Sequence, residues 1–239
     1  MSNGHAGRNV VIGILALQGA FAEHQAMLQK ISSCKCKIVI TLVRTVDDLA
    51  KCDALVIPGG ESTTIALLAR LAGLLEPLRD FLKRKPVWGT CAGAILLAQS
   101  VENTKKGGQE LLGGMSIAIA RNGWGSQVES FEVPLEVEGL REPERPFTGI
   151  FIRAPVVLSL DPSPSDPPLQ VIARLSPHCL PQAVAQDLSD EDPTDPRDPR
   201  TVVALRQGLH LLTTFHPELT KDNRFHDYFV HQCVLPTLD

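Results

Sequence analysis

The chain has 239 residues, of which 44% are hydrophobic and 21% charged, and a formal net charge of −4. These are ordinary globular proportions at a length that an α/β domain reaches as one unit, so a single domain over 1–239 is expected. The mild acidity argues against a nucleic-acid binder, which needs a basic face, and no apolar run approaches the ~20 residues that cross a bilayer. The polar N-terminus lacks the charged-then-apolar plan of a signal peptide, which points to a cytoplasmic protein.

Residues 9–17 (NVVIGILAL) are short, β-branched and apolar on both faces, as a buried parallel strand requires. Gln18-Gly19 breaks the run, and 20–31 reads as an amphipathic helix. A strand at 36–43, a short helix at 45–51 capped by Thr45 and a buried strand at 53–57 follow, the last ended by Pro58-Gly59-Gly60. Helices are predicted at 62–72 and 75–83 and a strand at 86–90. The small apolar run 91–99 (CAGAILLAQ) predicts a helix buried under the sheet. This alternation predicts an open, mostly parallel sheet with right-handed crossovers and helices on both faces.

The second half changes character. Strands are predicted at 115–120, 127–133, 147–152, 169–175 and 201–206, and most of the 18 prolines fall here, which suits antiparallel additions and long loops. The stretch 187–200 (DLSDEDPTDPRDPR) cannot bury enough apolar surface to offset its ordering entropy, so a mobile loop between two paired strands is expected. Residues 209–215 read as a last buried strand and 223–234 as a C-terminal helix. There is no internal repeat and no phosphate-binding G-x-x-x-x-G-K-[ST].

Three segments carry chemistry. Gly89-Thr90-Cys91-Ala92-Gly93 follows a strand and opens a helix, the plan of a nucleophile elbow with cysteine at its tip. Larger side chains at 89 and 93 would collide with neighbouring strands, and the helix behind Cys91 favours a thiolate. The plain alternative is a small-residue turn with a buried cysteine. A thiolate needs a base and the base an orienting group, and His216-Pro217-Glu218 supplies both: in an extended segment, residues i and i+2 share a face. Pro58-Gly59-Gly60-Glu61-Ser62-Thr63-Thr64 ends the third strand, where its bare N–H groups and that of Ala92 suit an oxyanion hole. A phosphate cradle or a mere capped turn would use the same residues. The six cysteines, at 34, 36, 52, 91, 179 and 233, have neither zinc-site spacing nor a disulfide rationale, so no metal is expected.

With these segments on the page, the chain resembles the class I glutamine amidotransferases, and more narrowly the glutaminase subunits of pyridoxal 5'-phosphate synthases. The likeness runs through 13–20 with Glu23-His24, 58–64, 89–93, Arg121-Asn122 with Gly125 and Gln127, Ser130-Phe131-Glu132, 151–155 and 215–219. It implies a flavodoxin-like fold, with Cys91 as nucleophile, His216 as general base and acid and Glu218 as orienting carboxylate. Gly60, Glu61 and Ser62 would contact glutamine, with Arg121, Ile152 and Arg153 lining the rest of the pocket and Gly60 and Ala92 forming the oxyanion hole. No cofactor is implied. Ammonia would pass to a barrel-shaped synthase subunit that joins it to a pentose phosphate and a triose phosphate. Gln18, beside Gly19, is the candidate for an activation switch. Two rivals share the elbow: another cysteine hydrolase of the same fold, such as a γ-glutamyl hydrolase or a glutaminase of a different pathway, and a non-catalytic stress or binding protein. The segments 17–24 and 151–155 separate the first from the synthase branch, and His-Pro-Glu separates the second.

Overall fold

The computed structural model describes residues 9–33, 36–104, 108–121, 130–176 and 197–238. Its first half alternates: β1 (Asn9–Leu15), α1 (Phe21–Leu28), β2 (Lys37–Val43), α2 (Val46–Ala50), β3 (Ala54–Ile57), α3 (Ser62–Leu71), α4 (Leu75–Leu82), β4 (Val87–Thr90) and α5 (Ala92–Leu97). Thr45 caps α2 in a reciprocal box with Asp48, as its sequence invites. Then come β5 (Ala98–Glu102), β6 (Met115–Ala120), β7 (Ser130–Leu135), β8 (Phe147–Ile152), β9 (Val156–Leu160), β10 (Leu169–Arg174), β11 (Val202–Gln207), β12 (His210–Thr213) and α6 (Arg224–Tyr228).

A seven-stranded sheet in the order β10-β11-β12-β4-β3-β1-β2 organises the molecule. From β12 to β2 all pairings are parallel, while β11 joins β12, and β10 joins β11, antiparallel. Strand alternation feeds two cores. Val10, Ile12 and Ile14 of β1 and Ala54 and Val56 of β3 face one side, where Leu28 of α1 and Phe225 of α6 cover them. Leu55 and Ile57 face the other, under Leu49, Ile65, Leu78 and Ala94 of α2 to α5. Helices therefore cover both faces of a mostly parallel sheet, as expected.

The second half departs from the sequence reading. Of its described strands, β10, β11 and β12 join the main sheet, while β5-β6-β9 and β7-β8 form separate small sheets. The predicted helix 91–99 ends at Leu97, and Ala98 turns extended (φ −65°, ψ 153°) to start β5, parallel to β6. A short run of small apolar residues suits either period, and here the open ladder of β6 decides it. Strand β9, rich in valine and leucine after Pro155, was not anticipated. The C-terminal helix is α-helical only to Tyr228; Phe229–Val234 widens to π-helical turns, and a 3-10 turn, Leu235–Thr237, holds Pro236. Of the acidic stretch, 187–196 lies outside the described residues. The strands on either side of it do pair, and Leu175 N–H donates to Thr201 O at 2.7 Å. Among the described residues no helix is long and apolar enough to cross a membrane.

Candidate active site

The elbow is built as its glycines require. Cys91 sits between β4 and α5 with φ 48° and ψ −102°, a left-handed conformation that an L-residue holds only when its surroundings impose it. A Cβ on Gly93 would lie 2.0 Å from Ile57 O, so α5 rests directly on β3. A Cβ on Gly89 would strike Gly93 O at 2.5 Å, so that glycine admits the helix rather than a neighbouring strand. The Cys91 N–H donates to Thr213 O at 2.9 Å, tying the elbow to the end of β12. The Cys91 side chain is largely buried, and its Sγ lies 4.0 Å from Ile152 O at the end of β8.

Beyond β12, Pro217–Leu219 forms a 3-10 turn, not the extended segment predicted. Proline's fixed φ suits the first position of such a turn. The two side chains meet all the same: His216 Nδ1 lies 2.7 Å from Glu218 Oε1, and the His216 N–H donates to Ile150 O at 2.8 Å. Burial is the largest influence on His216 and pushes its pKa down. The hydrogen bonds and charges of Cys91 and Glu218 outweigh it and raise the value to about 10. Burial likewise opposes ionisation of Glu218, yet His24 and His216 hold its carboxyl below the usual range. His24 is itself held at about 3, chiefly by burial against the opposing pull of Glu218, so it is uncharged at neutral pH.

The glycine loop closes over this pair. A Cβ on Gly59 would lie 2.4 Å from His216 Cε1 and 3.3 Å from Cys91 Cβ, so no other residue fits there. Gly59 O accepts from Ala20 N–H at 3.0 Å, and in a trans peptide this directs the Gly60 N–H the opposite way. Gln18 Oε1 accepts from Glu61 N–H at 2.9 Å, bridging the end of β1 to the same loop. Glu61 then caps α3. Its carboxylate accepts from Thr64 N–H at 2.8 Å and from Thr63, and it meets Arg121 Nη2 at 2.6 Å. Burial opposes its ionisation, but the Thr63, Thr64 and Arg121 hydrogen bonds hold its pKa at about 2. Gln109 Oε1 accepts from both Ser62 Oγ (3.1 Å) and Arg121 Nη1 (3.0 Å). A carboxylate already occupies the start of α3, which disfavours the phosphate-cradle reading. Arg153, exposed and at φ 42°, stands at the exit of β8 beside Ile152. Asn122, Gly125 and Gln127 lie outside the described residues.

The model of the SNO glutamine amidotransferase family matches residues 14–235. The chain belongs to that family. It is 42% identical over 228 residues to the Arabidopsis thaliana protein named "Probable pyridoxal 5'-phosphate synthase subunit PDX2", covering 92% of this chain and 85% of that one. It is 41% identical to the pyridoxal 5'-phosphate synthase subunit PdxT of Chloroflexus aggregans, over 92% and 99% of the two chains. A solved structure described as a glutamine amidotransferase superposes with a TM-score of 0.71 at 38% identity, covering 93% of this chain and 98% of that one.

For this member of the SNO glutamine amidotransferase family, sequence reasoning named Cys91, His216 and Glu218, which the structure brings together. It did not single out Thr90, His226 or Gln109, and it used His24 only as part of a likeness. A signal was present for both histidines. His24 shares the buried stripe of α1 with Met27 and Leu28, and His226 neighbours Phe225 and Phe229, so each imidazole is a polar group on an apolar face. Cys36, Cys52 and Cys233 carry free thiols; burial pushes Cys52 up to about 11 and Cys233 to about 12, which keeps both inert. Among the described residues, no group of three or more His, Cys, Asp or Glu could hold a metal.

Proposed function

We propose that this chain is the glutaminase subunit of a pyridoxal 5'-phosphate synthase, working as a single domain in the cytoplasm. The observation that carries the chemistry is the strained elbow of Cys91, hydrogen-bonded to the strand that delivers the His216–Glu218 pair. The names of its relatives support the pathway.

In this reading the Cys91 thiolate attacks the side-chain amide carbon of L-glutamine. The carbonyl oxygen gains the negative charge and meets the Gly60 and Ala92 N–H groups. His216 gives its proton to the departing nitrogen, ammonia leaves, and a γ-glutamyl thioester remains. His216 then takes a proton from water, which attacks the thioester and releases glutamate and the thiolate. Glu218 holds the ring in place and balances its charge through both steps. Glu61, Ser62, Arg121, Ile152 and Arg153 line the glutamine pocket, and Arg121 is oriented in advance by Glu61 and Gln109. The ammonia passes to a separate barrel-shaped synthase subunit.

The deciding experiment is ammonia release from glutamine, with and without the synthase subunit, for wild type and Cys91→Ala. Wild-type release that rises on adding the synthase and vanishes in folded Cys91→Ala is expected. Release that survives in Cys91→Ala would overturn the assignment.

A further inference from the structure

We propose that His24 is a positioning residue of this machinery: its Nε2–H holds the second oxygen of Glu218 and thereby fixes His216 against Cys91. The proposal rests on the glutaminase reading given above and adds a fourth member to the line of side chains behind the sulfur.

Glu218 is buried, and its two oxygens are used unequally. Oε1 is engaged by His216 at 2.7 Å, whereas Oε2 is sealed from solvent with no well-directed hydrogen bond among the described residues. A buried carboxylate oxygen without a donor is costly, so what faces it matters. His24 Nε2 stands 3.4 Å from Oε2 and 3.1 Å from the hydroxyl of Thr90, the residue before the nucleophile. The other ring nitrogen, Nδ1, lies 2.9 Å from His226 Nε2.

The chemistry of these partners fixes the protons. A carboxylate only accepts, so the hydrogen of neutral His24 sits on Nε2, shared between Glu218 and Thr90. Nδ1 is then a lone pair and takes the Nε2–H of His226. The remaining His226 Nδ1 is buried without a partner among the described residues, as an unprotonated nitrogen there can be at least cost. Burial holds both rings neutral. Trp88 clamps them, edge-on to His24 at 5.4 Å and to His226 at 4.9 Å between ring centroids. The contact to Oε2 is long in the resting site; such contacts commonly shorten once the reacting group is bound.

The test uses the subunit with its synthase partner at saturation. His24→Leu is expected to lower kcat by ~10–100-fold with KM unchanged, the scale of one hydrogen bond to a charged group. His24→Gln, whose amide nitrogen reaches where Nε2 stands, restores most of the loss; His24→Asn, whose amide mimics Nδ1, does not. In a Glu218→Gln background His24→Leu adds little, because both act through one group. Equal losses in the two backgrounds, a rise in KM alone, or rescue by Asn and not Gln would each overturn the proposal. If His24→Leu does not fold, the two polar variants decide alone. The rate of Cys91 alkylation by iodoacetamide, read by mass spectrometry without glutamine, should follow the same order. A chain that shows this order yet never hydrolyses glutamine refutes the glutaminase reading and leaves the positioning role intact.

Discussion

Cys91 shows how a single residue carries the strain of this site and, in the proposed reading, its chemistry. A left-handed backbone costs an L-residue about 1–3 kcal/mol, which the surrounding packing imposes here and glycine would not feel. Cys91→Gly is therefore expected to unfold at higher urea than Cys91→Ala, by about 1 kcal/mol, while both lose glutamine hydrolysis. Equal stabilities in equilibrium denaturation would show that the elbow is relaxed. The base belongs to the same unit. His216→Asn should be as damaging as Cys91→Ala, and the double variant no worse than either, because neither group works alone. Glu218→Gln should be milder, since an amide oxygen still accepts from His216. Steady-state ammonia release across the four variants checks this, and a double variant far worse than both singles would contradict it. At this scale the convergence of Cys91 with the His216–Glu218 pair, proposed here as nucleophile and base, was legible because cysteine between small residues, and histidine two before glutamate, are local patterns. Thr90 and His226 were not, because their roles come from residues distant in sequence.

At the scale of elements, the first half was legible because β1 and β3 are followed by glycine or proline signals, α3 and α4 keep one apolar stripe, and the wholly apolar α5 is buried throughout. β5 was missed because its first residues continue the small apolar run of α5, and only the pairing with β6 makes them extended. The turn at Pro217 was misjudged for a related reason: one proline serves an extended strand end and a 3-10 turn equally well. The contact of α5 with β3 makes a sharp prediction. Gly93→Ala puts a methyl into Ile57 O and cannot be relieved by a side-chain rotation, so it should cost upwards of about 2 kcal/mol of unfolding free energy. A urea midpoint within error of wild type would mean that the helix can shift. The orientation of the glycine loop hangs on two hydrogen bonds, Ala20 N–H to Gly59 O and Glu61 N–H to Gln18 Oε1. A synthase that docks here and turns the loop would act through Gln18. Gln18→Ala is then expected to reduce synthase-dependent activation, by up to ~10²–10³ for one misaimed oxyanion donor, more than it reduces binding. Activation measured beside an independent binding isotherm checks this; proportional losses in both would place Gln18 in docking alone.

Over the whole molecule, buried histidines set how stability follows pH. His24 and His226, at about 3, and His210, at about 4, are neutral when folded, mainly through burial, and titrate near 6.5 when unfolded. Between these values the unfolded chain binds more protons, so their contribution is complete above about pH 6.5 and is lost as pH falls towards 4 and 3. His216 runs the other way: raised to about 10, its contribution is complete below 6.5 and lost as pH rises through 10. Stability should therefore peak near pH 6.5–8. His210→Phe, away from the triad, should flatten the acid slope by about one proton, which urea midpoints at pH 4, 5.5 and 7.5 would detect. An unchanged slope would remove His210 from the account. The strand order has a further consequence, for the way the chain is made. β1, β2, β3 and β4 can pair as they leave the ribosome, but β12, which completes the edge of β4, comes from near the C-terminal end. Until it arrives, the half-built sheet exposes an open edge beside Cys91, which then lacks the His216 proposed as its base. In the proposed reading, one late insertion both seals that edge of β4 and brings His216 to the thiol.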